Sequence, residues 1–401
     1  MISKARFLRR ELANGVRVVC ELRDLPIVSM SVTNPVGASH ESSEIKGISH
    51  FIEHLVFTGT KTRTHEQISS AIEKRGGVLN AFTAQDVTSF WFKLPSEHIS
   101  VGIDILSDLL LNPTFNKEKF EKEKKVIIEE ISMYKDNPRT YVMDKIEENL
   151  YDKPFGESII GSKETISAMN RDFVAEHFSK IYDPRNFVVS IVGNCDFDSV
   201  CKELEERFKP AGKELVLPQK IRKINKETIE EREGIDQAHF VFAFHAPEFN
   251  SREYWALKLL NAHLAMGMSS KLFLKIREER GLAYTVKGFV RAEKNYSYYA
   301  IYVGTRKEAL GEVKNIILTE LKKCEQLSER ELADAKNFLK GTLKLSYEDS
   351  TEVMEELMFY EVITKAEEFY EQEKLIDSIT LEEVRAAARF DNYSIAAVVP
   401  K

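Results

Sequence analysis

One arrangement of strand and helix signals occurs twice along this chain, and it limits the fold more than any single segment does. The first half opens on "VRVVCEL" and "IVSMSVTNPVGA", where β-branched residues bounded by turn residues predict strands. Helical patterns follow over 47–58, 65–75, 96–111 and 115–135, and "GGVLNAFTAQDVTSFWFKL" among them reads as two strands. A helix "RDFVAEHFSKIY", a buried strand "NFVVSIVGNCD" and a helix "FDSVCKELEERFK" close the half. The second half begins again with a strand "AHFVFAFHAP" and a helix "SREYWALKLLNAHLAMG". A helical "LFLKIREER" and a strand pair within "YTVKGFVRAEKNYSYYAIYVGT" come next. The helix "SERELADAKNFLKGTLKLSYE" then matches "NKEKFEKEKKVIIEEISMYKD" in place and length. A weak repeat of this kind predicts a duplicated α+β domain. Residues 209–232 are charged and hold two prolines, which predicts a linker. The expected fold is therefore two homologous α+β domains, 1–208 and 233–401. Each is an antiparallel-rich sheet packed with helices, and 401 residues suit two cores better than one.

Composition removes several classes of function. A net charge of −7 leaves no electrostatic footprint for nucleic acid, and the basic run "KARFLRR" is too short to supply one. No apolar stretch follows that run, so it does not read as a signal peptide, and no segment has the apolar length of a membrane span. Cytoplasmic placement is the expectation. Cys20, Cys195, Cys201 and Cys324 are scattered without CxxC spacing and read as reduced structural cysteines. "NKETIEER" and "EELMFYEVITKAEEFYEQEK" read as amphipathic or solvated helix.

The chemistry is concentrated in "GISHFIEHLVFTGT". At 3.6 residues per turn, Ile48, Phe51, Ile52, Leu55 and Val56 form one apolar stripe. His50, Glu53 and His54 fall together on the opposite side. Histidines at i and i+4 reach one metal ion from a single face, and HxxEH is the inverted zinc signature whose glutamate acts as general base. The second half has nothing like it, so the cluster is an addition to one copy of the fold. His40, His65, His98, His177, His239, His245 and His263 lack a ligand partner at helical spacing and read as structural. "GASHE" near His40 reads as a turn at the edge of the site.

A catalytic zinc takes three protein ligands and keeps one position open. A carboxylate from the 116–135 helix suits the third place. The apolar stripe of that helix holds Phe120, Ile127, Ile128, Ile131 and Tyr134, with Val126 at one margin. Glu123 and Glu130, one heptad apart, fall inside the stripe, whereas Glu129 faces solvent. Carboxylates turned toward a core are paired or bound to metal. Both Glu123 and Glu130 are candidates on this ground.

With these residues in place, the chain resembles the pitrilysin and insulin-degrading-enzyme group of inverted-motif zinc metallopeptidases. "HFIEH" followed by "EKEKKVIIEE" carries the resemblance, together with "GGVLNAFTAQDVTSFWF" and "KIREERGLAYTV". The half-length chain is similar to the branch that contains the β subunit of mitochondrial processing peptidase and its bacterial relatives. The resemblance implies one zinc per subunit on His50, His54 and Glu130, with Glu53 as general base and Glu123 orienting a ligand. It implies that Asn80, Ala81 and Phe82 pair with an extended peptide by β-augmentation. Arg277 and Tyr284 would contact the substrate carbonyl from the other half of a closed chamber. It further implies a homodimer in which each zinc site faces Arg277 and Tyr284 of the other subunit. The expected function is zinc-dependent endopeptidase action on short or unfolded peptides. A non-catalytic assembly subunit and a metal-dependent peptide-binding module are the alternatives.

Overall fold

The structure is a computed structural model that describes residues 6–209 and 217–401. Among the described residues, eleven strands form two sheets. The first sheet uses Arg6–Glu11 (β1), Arg17–Leu22 (β2), Ile27–Asn34 (β3), Val78–Thr83 (β4), Thr88–Pro95 (β5) and Val188–Gly193 (β6), in the order β1-β2-β6-β3-β5-β4. The second uses Glu227–Arg232 (β7), Ala238–His245 (β8), Ala283–Ala292 (β9), Ser297–Thr305 (β10) and Ser394–Pro400 (β11), in the order β7-β11-β8-β10-β9. Strands β2 and β6 run parallel, as do β7 and β11, and every other pairing is antiparallel. Apart from the extra β1, the two sheets thus repeat one strand order and one pattern of direction.

The helices fill the repeat. Ile48–Val56 (α1), His65–Glu73 (α2), Ile99–Leu111 (α3), Lys117–Asp136 (α4), Pro138–Leu150 (α5), Lys163–Ala168 (α6), Arg171–Ile181 (α7) and Phe197–Arg207 (α8) lie in the first half. Arg252–Leu264 (α9), Leu310–Cys324 (α10), Glu329–Ser346 (α11) and Ser350–Ile363 (α12) follow in the second. Each half has its own apolar core. Among the described residues no helix is long and apolar enough to cross a membrane.

Two expectations change. The first concerns 209–232, of which residues 210–216 lie outside the described residues. Its last six residues, which also belong to the segment expected to be helix, form β7 at a sheet edge, paired in parallel with β11. Glu227, Thr228, Glu231 and Ile229, the last at 65% exposure, face solvent, while Glu230 and Arg232 reach Tyr141 of α5, so only backbone pairing reveals the strand. The second is the single cut between domains. The first compact unit holds residues 6–131, 158–219 and 346–369 among those described, and the second holds 132–157, 220–345 and 370–401. Helix α5 buries Val142, Ile146 and Leu150 against Val241, Ala243, Tyr298 and Ala396 of the second sheet. Helix α12 lies on β3 and β6, where Ser190 donates to the Met354 carbonyl at 2.8 Å and the Ser29 and Ser350 hydroxyls meet at 2.8 Å. Each unit is therefore completed by a helix from the other stretch of chain.

Candidate metal centre

Helix α1 is held at its start by groups its own sequence does not announce. Gly47 sits at φ +94°, and a Cβ there would meet the Ile160 carbonyl oxygen at 2.7 Å, so glycine is required. The first turn has no side-chain cap of its own. Instead the buried Glu41 carboxylate accepts the Gly47 and Ser49 amides at 2.9 and 2.8 Å. Burial pushes the Glu41 pKa up, against the opposing pull of Lys46 and the two amides. The stripe Ile48, Phe51, Ile52, Leu55 and Val56 is fully buried, and the Phe51 ring packs on Phe120 of α4 at 4.9 Å. This docking turns His50, Glu53 and His54 toward Glu123 and Glu130. In α4, Phe120 and Ile127 are buried, whereas Val126 is 43% exposed and stands outside the apolar stripe.

His50, His54 and Glu130 offer three ligand atoms within 4.8 Å of one another, the one such cluster among the described residues. Glu130 Oε2 stands 3.7 Å from His50 Nε2 and 3.5 Å from His54 Nε2. These separations exceed a hydrogen bond. They approach the spacing of about 3.3 Å between ligands of a tetrahedral zinc whose bonds are about 2.0–2.1 Å. Two imidazoles and a carboxylate are also a donor set that zinc accepts, so the residues fit the ion. Glu123 takes a different place, with Oε2 3.6 Å from His54 Nδ1.

The electrostatics differ between the two histidines. Burial, with a smaller push from His54, drives the His50 pKa down to about 3, which keeps its ring neutral and its lone pair available. Burial also works against a charged His54, but Glu123, Glu130 and Glu53 outweigh it and hold its pKa up. Glu53 is raised by burial and by Glu130, with Thr83 and His54 opposing. Thr83 Oγ1 donates to Glu53 Oε2 at 2.5 Å. Thr83 is the last residue of β4, the edge strand that carries Asn80, Ala81 and Phe82. The Asn80 side-chain oxygen accepts the Ala81 amide at 2.8 Å, and Phe82 stacks on Phe359 of α12.

Arg277 and Tyr284 lie in the second unit and form a pair of their own. Arg277 comes from a π-helical turn, Phe273–Glu278. Its guanidinium donates to the Tyr284 carbonyl at 3.1 Å and sits 4.6 Å above the Tyr284 ring. Tyr284 is 73% exposed, so it is not a core aromatic.

Sequence reasoning missed Glu41, Thr83 and the wall of a neighbouring pocket. Glu41 lies in the "GASHE" turn, and its partners are six and eight residues away in a segment with no capping pattern. Thr83 looks like any strand threonine until the sheet brings it to Glu53. Phe57, Thr58, His65, Lys119 and Lys122 join Glu53, His54, Asn80 and Glu123 around a pocket of about 460 Å³.

Comparisons with known proteins show the family and the fold. Residues 17–163 match the family model described as insulinase (peptidase family M16), and residues 168–339 match that of the peptidase M16 inactive domain. An uncharacterized zinc protease of Bacillus subtilis (strain 168) is 32% identical over 398 residues, covering 96% of this chain and 97% of that protein. An uncharacterized zinc protease of Mycobacterium tuberculosis (strain H37Rv) is 32% identical, covering 95% of this chain and 90% of that protein. Among solved structures, a protease from Helicobacter pylori superposes with a TM-score of 0.92 at 20% identity, over 99% of this chain and 100% of that one. A chain of complex III2 from Candida albicans gives 0.84 at 16% identity, over 98% and 95%. The chain belongs to the insulinase-like peptidase M16 family.

Proposed function

We propose that this protein is a zinc-dependent endopeptidase acting on short or unfolded peptides. The observation that carries the reading is the convergence of His50 Nε2, His54 Nε2 and Glu130 Oε2 beside Glu53, at the end of an open sheet edge. His50, His54 and Glu130 would hold the zinc. When bound, zinc supplies Lewis acidity toward a carbonyl oxygen and toward water. Glu53, its pKa raised, takes a proton from water and returns it to the leaving amine. Thr83 fixes the carboxylate that performs the transfer. Glu123, with Oε2 3.6 Å from His54 Nδ1, favours the proton on Nδ1 and so directs the Nε2 lone pair inward. The backbone of 80–82 receives the peptide as an added strand, which gives affinity with little demand on sequence. Such a strand must displace the Asn80 side chain from the Ala81 amide.

Following the resemblance, we extend the reading to a homodimer in which the partner's Arg277 and Tyr284 hold the substrate carbonyl and steady the oxyanion. Sedimentation of the intact protein tests the dimer. Mixing Glu53→Gln with Arg277→Ala chains tests the sharing, since recovered hydrolysis requires sites built from two subunits. The peptidase reading is tested by quenched fluorescent peptides with and without a chelator. Hydrolysis that stops on chelation and returns with zinc is expected. Bound zinc without turnover of any peptide would replace the reading by metal-dependent peptide binding.

A further inference from the structure

The pocket beside the candidate centre has an asymmetry of charge. It starts at Glu53 and His54 and extends past Phe57 and Thr58 at the end of α1, His65 of α2, Asn80 of β4, and Lys119, Lys122 and Glu123 of α4. Its two carboxylates are each engaged, since Glu53 accepts from Thr83 and Glu123 faces His54 Nδ1. Its two ammonium groups are not matched in this way. Lys119 Nζ donates to the Thr58 carbonyl, and neither Lys119 nor Lys122 makes an ion pair among the described residues. Lys124, on the same helix, does have a carboxylate neighbour in Glu121. The Phe57 ring and the lysine methylenes supply apolar wall, so the pocket suits a short chain ending in negative charge.

We propose that this pocket receives a carboxylate of the peptide adjacent to the bond being cut, held by Lys119 and Lys122. The carboxylate comes from an aspartate or glutamate side chain or from the C-terminus of the peptide. The proposal rests on the peptidase reading and adds a selectivity to it. A site that reads backbone along β4 is indifferent to sequence, whereas two unmatched cations next to Glu53 are not. Lys122 is exposed, so its substitution tests charge without disturbing the core.

The experiment uses the full-length, zinc-loaded Glu53→Gln protein, whose binding is read separately from hydrolysis. Labelled alanine-rich pentapeptides carry Glu, Gln or Lys at each position in turn, and each is made with a free and an amidated C-terminus. Fluorescence anisotropy is expected to show at least fivefold tighter binding for Glu over Gln at one position, or for the free over the amidated C-terminus. The first result identifies an acidic side chain as the source and the second the C-terminus. The preference weakens as salt is raised and is lost in Lys122→Glu. No fivefold preference in either series, or a preference that survives Lys122→Glu, overturns the proposal. The parent protein reads the other claim. Chelator-sensitive hydrolysis without acidic preference overturns the pocket alone, and absence of all hydrolysis overturns the peptidase reading while acid-dependent binding still supports the pocket.

Discussion

Helices α1 and α9 stand at the same place in two copies of one sheet order; both are mostly buried, and they differ in the polar groups they carry. Helix α1 is nine residues long, with a buried stripe and a polar face that carries His50, Glu53 and His54. Helix α9 is thirteen residues long and buries nine of them, from Tyr254 to Leu264. It has one histidine. His263 Nε2 lies 3.9 Å from Glu331 of α11, and Lys271 Nζ already neutralises that carboxylate at 3.0 Å. A helix pair in the same position thus presents two imidazoles to a carboxylate in one unit and one imidazole in the other, where Lys271, from the segment after α9, reaches the carboxylate first. The metal donors are not needed to build the fold. A second imidazole one turn away, and the absence of a competing ammonium, separate a candidate zinc site from an ordinary ion pair.

The sharpest way to break this comparison is to remove the proton carrier. Glu53→Gln is expected to lower kcat/KM for peptide hydrolysis by about 10²–10⁴-fold, while metal content by mass spectrometry stays that of the parent. Hydrolysis at the parent rate would take Glu53 out of the mechanism. Next come matched truncations of the two helices. Leu55→Ala in α1 and Leu259→Ala in α9, both fully buried, should each destabilise by about 2–5 kcal/mol in denaturant unfolding. Only the first should also weaken zinc binding, and equal zinc affinity in both variants would show that α1 packing does not position the donors. Glu123→Gln is expected to cost about 10–100-fold in zinc affinity or activity, measured by competition with a chelating dye, with little change in unfolding midpoint.

The smallest effect falls on the second unit. The Glu331 pKa sits at about 2: burial raises it, but the Ser328 amide and hydroxyl, Lys271 and His263 pull it well below the usual carboxylate range. A depressed carboxylate contributes stability that is present above its unfolded pKa and lost as pH falls toward the folded value. Glu331→Gln should therefore lower the Tm slightly and evenly from pH 5 to 8, a change of about 1 kcal/mol or less for a partly exposed pair. The difference from the parent should shrink as pH falls from 4.5 toward 2. A difference that grows on acidification would contradict the assignment.

Local pattern carried the repeat and the docking of α1, because a 3.6-residue period reports directly on which face is buried. It carried the placement of Glu123 and Glu130 on the inner side of α4, although exposed Val126 shows that the margin of a stripe is less secure than its centre. It failed where the determining contact is remote or made by backbone. β7 is legible only through its pairing with β11, since its side chains are those of a solvated segment. Glu41 acts through two amide hydrogen bonds to the next segment and Thr83 through one to Glu53, and no spacing rule marks either residue. The strand sequence around Tyr284 does not say which face it takes, and it stands in solvent beside Arg277.

The exchange of α5 and α12 between the two stretches of chain has a consequence for how the protein is made. One face of the first sheet cannot be covered until residues 346–369 leave the ribosome, late in synthesis. Until then Ser29 and Ser190 lack the partners they have in Ser350 and the Met354 carbonyl, and the surface later covered by Met354, Leu357 and Met358 faces water. A nascent chain in this condition leaves one sheet face, which carries Ser29, Ser31, Thr33, Val188 and Ser190, open to water for most of its elongation, and uncovered sheet of this kind is where chaperone binding and aggregation compete. The repeat suggests two modules that mature one after the other, but the chain can complete neither until it is nearly whole.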